Sequence, residues 1–203
     1  MTMRIILAAL LLTIIPPALA AGQEGATAPP DFRQVRWGMS PEEVKAAETR
    51  ARPAGCQGGD NPSIAVLCYI APLNGIDYDL FYTFMDGKLA RAVYYSRQEY
   101  QNKNNYVNDY ETLKGELTQR YGPPKNDETT WSGTLYQDSP EHLGLAYSSG
   151  DVLSYASWET ERSYFSVEIS GENYKVDLAI YYYAKAAYHE LMTRLRGRTL
   201  DDL

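Results

Sequence analysis

The stretch YDLFYTFMDGKLARAVYY at 78–95 constrains the fold more than any other part of the chain. It contains two strand-like runs around Asp86-Gly87, a dipeptide typical of a two-residue hairpin turn. On the first run, one face carries Tyr78, Leu80, Tyr82 and Phe84. The other face carries Asp77, Asp79 and Thr83. This alternation predicts a half-buried antiparallel sheet.

Short apolar and aromatic runs bounded by turn residues predict further strands on both sides of this hairpin. These runs are 63–70, 129–136, 143–149, 152–158, 163–170 and 174–183. In the last run Val176, Leu178, Ile180 and Tyr182 share one face. Tyr181 and Tyr183 must therefore lie on the other face.

The run WGMSPEEV at 37–44 looks most like a motif, but helix-start chemistry explains most of it. Ser40 is a good N-cap, Pro41 suits the first helical position and Glu43 completes a capping box. We expect Gly38 to adopt an unusual backbone angle and Trp37 to pack beneath the helix. The pattern favours a structural helix entry over a working site.

Two further helices are predicted by apolar residues at helical spacing. The second helix lies at about 106–122, with Tyr106, Tyr110, Leu113 and Leu117 on one stripe before Gly122-Pro123-Pro124. The third covers 184–196, where Ala184, Ala187, Tyr188, Leu191, Met192 and Leu195 form the stripe.

A weak internal echo links the two parts of the chain. Leu80-x-Tyr82-x3-Asp86 recurs 65 residues later as Leu145-x-Tyr147-x3-Asp151. Chance similarity between two tyrosine-rich hairpins and a true duplication both remain open. We predict an α+β fold in which helices pack on one face of an antiparallel sheet. It would contain tandem helix–strand–hairpin modules at 32–100 and 101–203, the second with an extra hairpin and the C-terminal helix.

The first 20 residues have the three parts of a secretory signal peptide, namely the basic Arg4, an apolar core over 5–15 and small residues up to Ala20. We expect cleavage after Ala20, a loose leader at 21–31 and a periplasmic location. As a helix the apolar core would be about 16 Å long, too short for a bilayer core of about 30 Å. No later run is apolar enough to span, so we predict no transmembrane segment.

Net charge indicates which partners the chain is suited to bind, and the two cysteines indicate a disulfide. Without residues 1–20, the chain has 18 basic and 26 acidic residues, a net charge of −8. Nucleic acid is therefore not expected as a partner, because phosphate contacts need a basic surface. In an oxidising compartment, Cys56 and Cys68 are expected to form a disulfide. A redox or metal site is disfavoured because there is neither CxxC spacing nor a nearby histidine.

The chain contains no recognisable catalytic constellation. A nucleophilic Ser148 or Ser149 would need a histidine base, and the only histidines, His142 and His189, stand in ordinary settings. Asp77 and Asp79 lack the further oxygen ligands of a calcium site. Glu159 and Glu161 sit in a polar hairpin connection where nothing separates their pKa values. We assign no catalytic, cofactor-binding or metal-binding residue and predict no cofactor.

Eighteen tyrosines are the most unusual feature of the composition. Tyr181 and Tyr183 either roof a half-open sheet or form a surface for a partner, since tyrosine is favoured at interfaces.

Several of these residues resemble those of a known group of proteins. Phe32-x4-Trp37-Gly38-Met39-Ser40-x-Glu42-Glu43-Val44 is similar to the opening of exported Gram-negative proteins of unassigned role. The hairpin with Asp86-Gly87-Lys88-Leu89, the helix end Tyr121-Gly122-Pro123-Pro124 and Trp131 follow the same pattern. Over roughly 32–158 the pattern resembles the α+β module of the outer-membrane assembly subunit BamE (SmpA/OmlA) and of β-lactamase-inhibitor proteins. The inhibitors carry it twice. The lipid-bearing cysteine of the BamE pattern is missing here.

Two hypotheses for function follow from these observations. The first is a non-enzymatic exported protein that binds another protein or an envelope component. The second is a small hydrolase or ligand-binding protein whose site is assembled from distant residues. Its candidate residues would be Glu159, Glu161, Asp77 and Asp79.

Overall fold

A computed structural model describes residues 29–56 and 63–201. The predicted signal peptide and the leader before Pro29 lie outside the described residues. The helices are α1 (Pro41–Ala47), α2 (Asn104–Tyr121), α3 (Leu143–Ser149) and α4 (Tyr188–Asp201). The strands are β1 (Arg52–Ala54), β2 (Ile64–Leu73), β3 (Ile76–Met85), β4 (Lys88–Ser96), β5 (Asn126–Trp131), β6 (Val152–Glu159), β7 (Ser163–Glu172) and β8 (Lys175–Ala184).

The eight strands form one antiparallel sheet in the order β1-β2-β3-β4-β8-β7-β6-β5. Strands β1–β4 and β5–β8 are each neighbours in chain order, and the two sets meet where β4 pairs with β8. In that pairing Tyr94 lies opposite Ile180, and Ala92 lies opposite Tyr182. The predicted α+β fold with an antiparallel sheet is therefore confirmed. The division into modules at residue 100 stays a prediction.

The hairpin turn and the first helix start have the predicted local chemistry. Asp86 and Gly87 have φ values of 50° and 74°, the left-handed pair that a type I′ turn requires. At α1 the Ser40 side chain accepts from the Glu43 amide, and the Glu43 side chain accepts from the Ser40 amide. The expected unusual backbone angle at Gly38 is confirmed by its φ of 88°.

The main core lies on the face of the sheet that carries Tyr78, Leu80 and Tyr82, here named the first face. All three side chains are at most 1% exposed. The helices cover this face with Val44 of α1, Ala146 and Tyr147 of α3, and the predicted α2 stripe of Tyr106, Tyr110, Leu113 and Leu117. The alternation read from the sequence thus places the apolar side of β3 in the core.

The opposite face of the sheet, here named the second face, carries Phe81, Tyr181 and Tyr183. Helix α4 is the exception to the expectation of helices on one face, because its Tyr188 ring packs edge-on against Tyr164 and Tyr183. Leu191 of the same helix is fully buried. The final helix therefore covers part of the second face.

The predicted strand at 143–149 is wrong, since these residues form α3. The predicted strand at 129–136 is correct only as far as Trp131, where β5 ends. The 65-residue echo accordingly aligns Leu80 and Tyr82 of a strand with Leu145 and Tyr147 of a helix. A short apolar run does not distinguish the two states by periodicity, and tertiary contacts decide in favour of the helix. Gly144 donates its amide proton to Asn104 Oδ1 at 2.7 Å.

The predicted disulfide between Cys56 and Cys68 is confirmed, with a sequence separation of 12. On the chain-entropy account a loop of this length contributes roughly 3 kcal/mol to stability. None of the described helices is both long enough and apolar enough to cross a membrane.

Candidate functional site

A cleft of about 930 Å³ opens on the first face of the sheet. Its floor consists of Tyr94, Ile180 and Tyr182, at the place where β4 meets β8. One wall is the segment 29–33 with Arg50 and Leu73, and the other is the C-terminal half of α2. The turn between β6 and β7, including Glu161 and Arg162, closes one end. The cleft thus lies where the two four-stranded sets join.

The N-terminal segment that forms one wall is tied to both four-stranded sets. Gly38 donates its amide proton to the Leu89 carbonyl at 2.9 Å, which attaches the segment to β4. The Trp37 indole Nε1 donates to Ser163 Oγ at the start of β7, at 2.8 Å. Asp31, assigned to the loose leader, accepts from the Trp37 amide and pairs with Arg162 at 2.9 Å. This wall is therefore held in place across the sheet junction.

A buried carboxylate fixes Arg33 at the base of the same wall. The Glu48 side chain is fully buried and accepts from Arg33 Nε at 2.8 Å and from Tyr82 Oη at 2.6 Å. Arg33 Nη1 in turn donates to Tyr94 Oη at 2.7 Å. Burial alone would raise the pKa of Glu48, but the hydrogen bonds from Arg33 and Tyr82 leave the pKa lowered. The site therefore holds an ionised Glu48–Arg33 pair.

The α2 wall combines buried leucines with exposed charges. Leu113 and Leu117 are buried in the core. Glu116 precedes Leu117 by one position and Arg120 follows it by three, and both are exposed. Glu116 accepts a hydrogen bond from Asn74 Nδ2 at 2.7 Å. The Arg120 guanidinium lies 5.3 Å from the centre of the Tyr121 ring. The helical spacing of α2 thus presents a polar edge above an apolar floor.

The charges along the cleft are of both signs. Arg33 and Arg162 are neutralised by Glu48 and Asp31. The other charged lining residues are Arg50, Arg120, Glu116 and Glu161. Among the described residues, none of these four has an ion-pair partner. Within the described part of the chain, the rim therefore offers two cations and two anions that are not in ion pairs.

Of the two floor tyrosines, Tyr94 is engaged by Arg33, whereas Tyr182 carries the second hydroxyl of the floor. Its ring packs 4.6 Å from Phe32 and 5.3 Å from Phe165, measured between ring centres. Its hydroxyl has no hydrogen-bond partner within the described residues. Burial raises the pKa of Tyr182, with a further contribution from Tyr121, so the hydroxyl stays protonated and can donate to a bound group.

The four acids considered for a hydrolytic site do not come together. Asp77 and Asp79 lie on β3, and Asp79 is paired with Arg97. Glu159 ends β6, on the far side of β4, β8 and β7, where Lys125 and Lys185 contact it at 2.7 and 3.3 Å. These hydrogen bonds lower the pKa of Glu159, which is the opposite of what a general acid needs. Glu161 alone reaches the cleft.

The serines and histidines considered for a nucleophilic site do not come together either. Ser148 is buried, and its hydroxyl donates to the Leu145 carbonyl within α3. The Ser149 hydroxyl donates to the Ala146 carbonyl in the same way. His142 is exposed beside Glu141, and His189 is exposed on α4. Neither histidine is hydrogen-bonded to either serine.

The predicted partner surface lies on the second face, away from the cleft. Tyr181 and Tyr183 are half-buried and stack with their ring centres 6.3 Å apart. The Tyr181 hydroxyl lies 3.2 Å from that of Tyr95, and Tyr183 contacts Tyr188 of α4. The assignment of these rings to a partner stays a prediction.

Sequence reasoning missed the cleft residues Arg33, Arg50, Arg120 and Tyr182. They come from four separate segments, and no local spacing connects them. Arg33 alone carries a local signal, a φ of 51° outside the usual region, and this signal appears only in the structure.

Within the described residues, no group of three or more His, Cys, Asp or Glu side chains could hold a metal ion. The cleft contains groups that can bind a polar or charged ligand, and no nucleophile–base pair lies beside them in the part of the chain that the structure describes. No protein-family model, curated protein or solved structure matches the chain.

Proposed function

We propose that this chain is a non-enzymatic periplasmic protein that binds a segment of a partner protein in the cleft between residues 29–33 and α2. The observation that carries the proposal is the combination of an aromatic floor with a rim of arginines and glutamates that form no ion pairs among the described residues. Protein–protein interfaces similarly combine an aromatic-rich centre with a polar rim, and arginine is enriched in them.

Charge distribution supports a polypeptide rather than a simple ion as the occupant. Arg50 and Arg120 favour carboxylates, whereas Glu116 and Glu161 favour ammonium or guanidinium groups. A polypeptide segment offers both kinds of group together with apolar side chains for Tyr94, Ile180 and Tyr182. The floor hydroxyl of Tyr182 can donate to a backbone carbonyl of such a segment.

Export and family resemblance support the same proposal. The signal-peptide pattern of residues 1–20 favours the periplasm. The resemblance of residues 32–158 to BamE and to β-lactamase-inhibitor proteins favours a protein partner, since both groups work by binding other proteins. The hydrolase hypothesis has less support, because its candidate acids are separated and Glu159 is held ionised.

The test is site-specific photo-crosslinking in cells that export the protein. A photoreactive residue at Arg50, on the cleft rim, is compared with one at Tyr174, which is 76% exposed in the turn between β7 and β8. We expect a defined protein adduct from position 50 and none from position 174. Equal adducts at both positions, or none at position 50, would contradict the proposal.

The captured partner segment, identified by mass spectrometry, is then titrated against purified protein by calorimetry. Arg120→Glu reverses a free charge on the rim and is expected to weaken binding about tenfold or more. Lys175→Glu, an exposed position outside the cleft, is the matched control and should leave the affinity unchanged. Equal affinities for both variants would assign the binding surface elsewhere.

A further inference from the structure

A second concave surface lies on the second face of the sheet, separate from the cleft. This groove of about 600 Å³ runs over β6, β7 and β8 and has α4 as one wall. The lining side chains that the argument uses are Tyr155, Ser157, Tyr164, Ser166, Glu168 and Tyr181. Its volume falls within the range of small-ligand sites, about 300–1,000 Å³.

Two small side chains create the depression. Ser157 and Ser166 are directly opposite each other in the β6–β7 pairing. Ser166 is in turn opposite Tyr181 in the β7–β8 pairing. Tyr155 and Tyr164 lie two residues before Ser157 and Ser166 on the same face. A serine pair among tyrosines therefore leaves a hollow with hydroxyl groups at its base.

The polar groups at the base have unused hydrogen-bonding capacity. Ser157 Oγ accepts from Asn126 Nδ2 at 2.9 Å, and Ser166 Oγ donates to Glu168 Oε1 at 2.7 Å. Within the described residues, these are the only side-chain hydrogen bonds that these two serines, Asn126 and Glu168 make. Three groups among the described residues can therefore still bind a ligand. They are the hydroxyl proton of Ser157, the second carboxylate oxygen of Glu168 and the side-chain carbonyl oxygen of Asn126.

The surrounding rings are held in fixed orientations. Tyr181 and Tyr183 stack with an interplanar angle of 12°, and the Arg91 guanidinium lies 5.3 Å and 5.4 Å from their ring centres. Tyr188 of α4 contacts Tyr164 and Tyr183 edge-on. Rigid rings of this kind provide flat apolar surfaces at low entropic cost on binding.

The charges of the groove narrow the class of ligand. Glu159 contacts two cations, Lys125 and Lys185, whereas Glu168 has no ion-pair partner in the described part of the chain. Together Glu159 and Glu168 are balanced by the two lysines, and a balanced set of charges favours a neutral ligand over a strongly charged one. A purely apolar ligand would leave the serines and Glu168 unpaired, which is costly. A sugar ring satisfies both conditions, because it has an apolar C–H face for stacking and hydroxyls for Glu168, Ser157 and Asn126.

We infer that this groove is a binding site for a neutral oligosaccharide, with the tyrosines as the stacking surface and Glu168 as the main hydroxyl acceptor. The site is independent of the cleft, because it lies on the other face of the sheet and uses other residues.

The inference is tested on the purified chain from residue 21, with cellotriose, chitotriose and maltotriose as the probes. Calorimetry measures the affinity, and saturation-transfer NMR identifies which ring protons contact the protein. We expect at least one trisaccharide to bind, with saturation transferred to its C–H groups. Absence of binding by all three would overturn the inference.

Matched pairs of variants then locate the site. Tyr155→Ala and Glu168→Gln lie in the groove, and each is expected to weaken binding about tenfold, the effect of losing one good stacking or charged contact. Tyr174→Ala and Glu172→Gln are the controls, exposed at the β7–β8 end outside the groove. Ser166→Leu fills the hollow without removing a ring and should abolish binding. Groove variants that keep wild-type affinity, with near-UV circular dichroism showing a native fold, would contradict the assignment.

Discussion

At the scale of single residues, the buried Glu48 connects the N-terminal segment to the sheet. Its carboxylate accepts from Arg33, from Tyr82 and, at 3.1 Å, from the Arg50 amide. Arg33 is only 15% exposed at its side chain, so loss of the negative charge leaves a largely buried cation without its partner. Such unpaired charges destabilise strongly.

We expect Glu48→Gln to lower the free energy of unfolding by about 3 kcal/mol. Glu42→Gln is the matched control, since Glu42 is exposed in the first turn of α1, and its effect should stay within about 0.5 kcal/mol. Urea unfolding of both variants at neutral pH checks the prediction. A loss for Glu48→Gln no larger than the control's would show that the network contributes little.

The same residue predicts an acid dependence of stability. The pKa of Glu48 is lowered in the folded chain from its ordinary value of 4.5, so the unfolded chain binds the proton more readily. The stabilisation is therefore complete above the ordinary pKa and is lost as the pH falls through the folded-state pKa. Over this acidic range the stability difference between wild type and Glu48→Gln should shrink. A constant difference would contradict the role of the ionised carboxylate.

Sequence reasoning predicted the capping box at Ser40 and Glu43 because both partners lie within one helical turn. It could not predict the Glu48 network, whose members come from positions 33, 48, 82 and 94. A glutamate just after a helix has no local feature that distinguishes a buried acceptor from a solvated side chain.

At the scale of helices and strands, α3 owes its position to close packing of its backbone. A Cβ atom on Gly144 would lie 2.3 Å from the Lys103 carbonyl carbon and 2.4 Å from the Asn104 nitrogen. Backbone atoms at the start of α2 cannot move aside as a flexible side chain can. Glycine at this position is therefore required by the approach of α3 to α2.

We expect Gly144→Ala to destabilise the protein by about 3 kcal/mol through this overlap. Gly115→Ala is the matched control within α2, where a Cβ meets nothing within 4 Å. There the gain in helix propensity should stabilise the protein by about 1 kcal/mol. Thermal unfolding of the two variants should shift the midpoint in opposite directions, and shifts of the same sign would contradict the packing argument.

This packing also explains why α3 could not be predicted. The run LGLAYSS at 143–149 is short and apolar, so its own pattern leaves helix and strand undecided. The β3–β4 hairpin was predictable because its alternation and its Asp86-Gly87 turn both favour the same local structure. The α2 stripe was predictable for a similar reason, since four apolar residues and a terminal glycine agree.

At the scale of the whole molecule, both concave surfaces arise from how the two four-stranded sets meet and from which helices cover them. The cleft exists because β4 and β8 are neighbours, although 78 residues lie between the end of β4 at Ser96 and the start of β8 at Lys175. The groove exists because α1–α3 pack on the first face and leave much of the second face to α4 alone. The sequence placed Tyr181 and Tyr183 on the correct side, but it contained no signal for the pairing that surrounds them.

The contact that best tests this assembly joins Trp37, which follows the wall segment 29–33, to Ser163 at the start of β7. Ser163 is 4% exposed, so its hydroxyl loses a buried partner when the indole N–H is removed. We expect Trp37→Phe and Ser163→Ala each to cost about 1 kcal/mol or more. The double variant should cost about 1 kcal/mol less than the sum, because both remove the same hydrogen bond.

A second cycle, which pairs Trp131→Phe with Ser163→Ala, provides the control for this coupling. Trp131 ends the edge strand β5, and β6 separates it from β7, so its effect and that of Ser163 should add to within about 0.5 kcal/mol. Urea unfolding followed by circular dichroism measures all the variants. Additive effects in both cycles would mean that the Trp37–Ser163 bond does not hold the N-terminal wall to β7. The cleft would then lack a fixed wall. Binding a partner segment would therefore carry a larger entropic cost for ordering that wall.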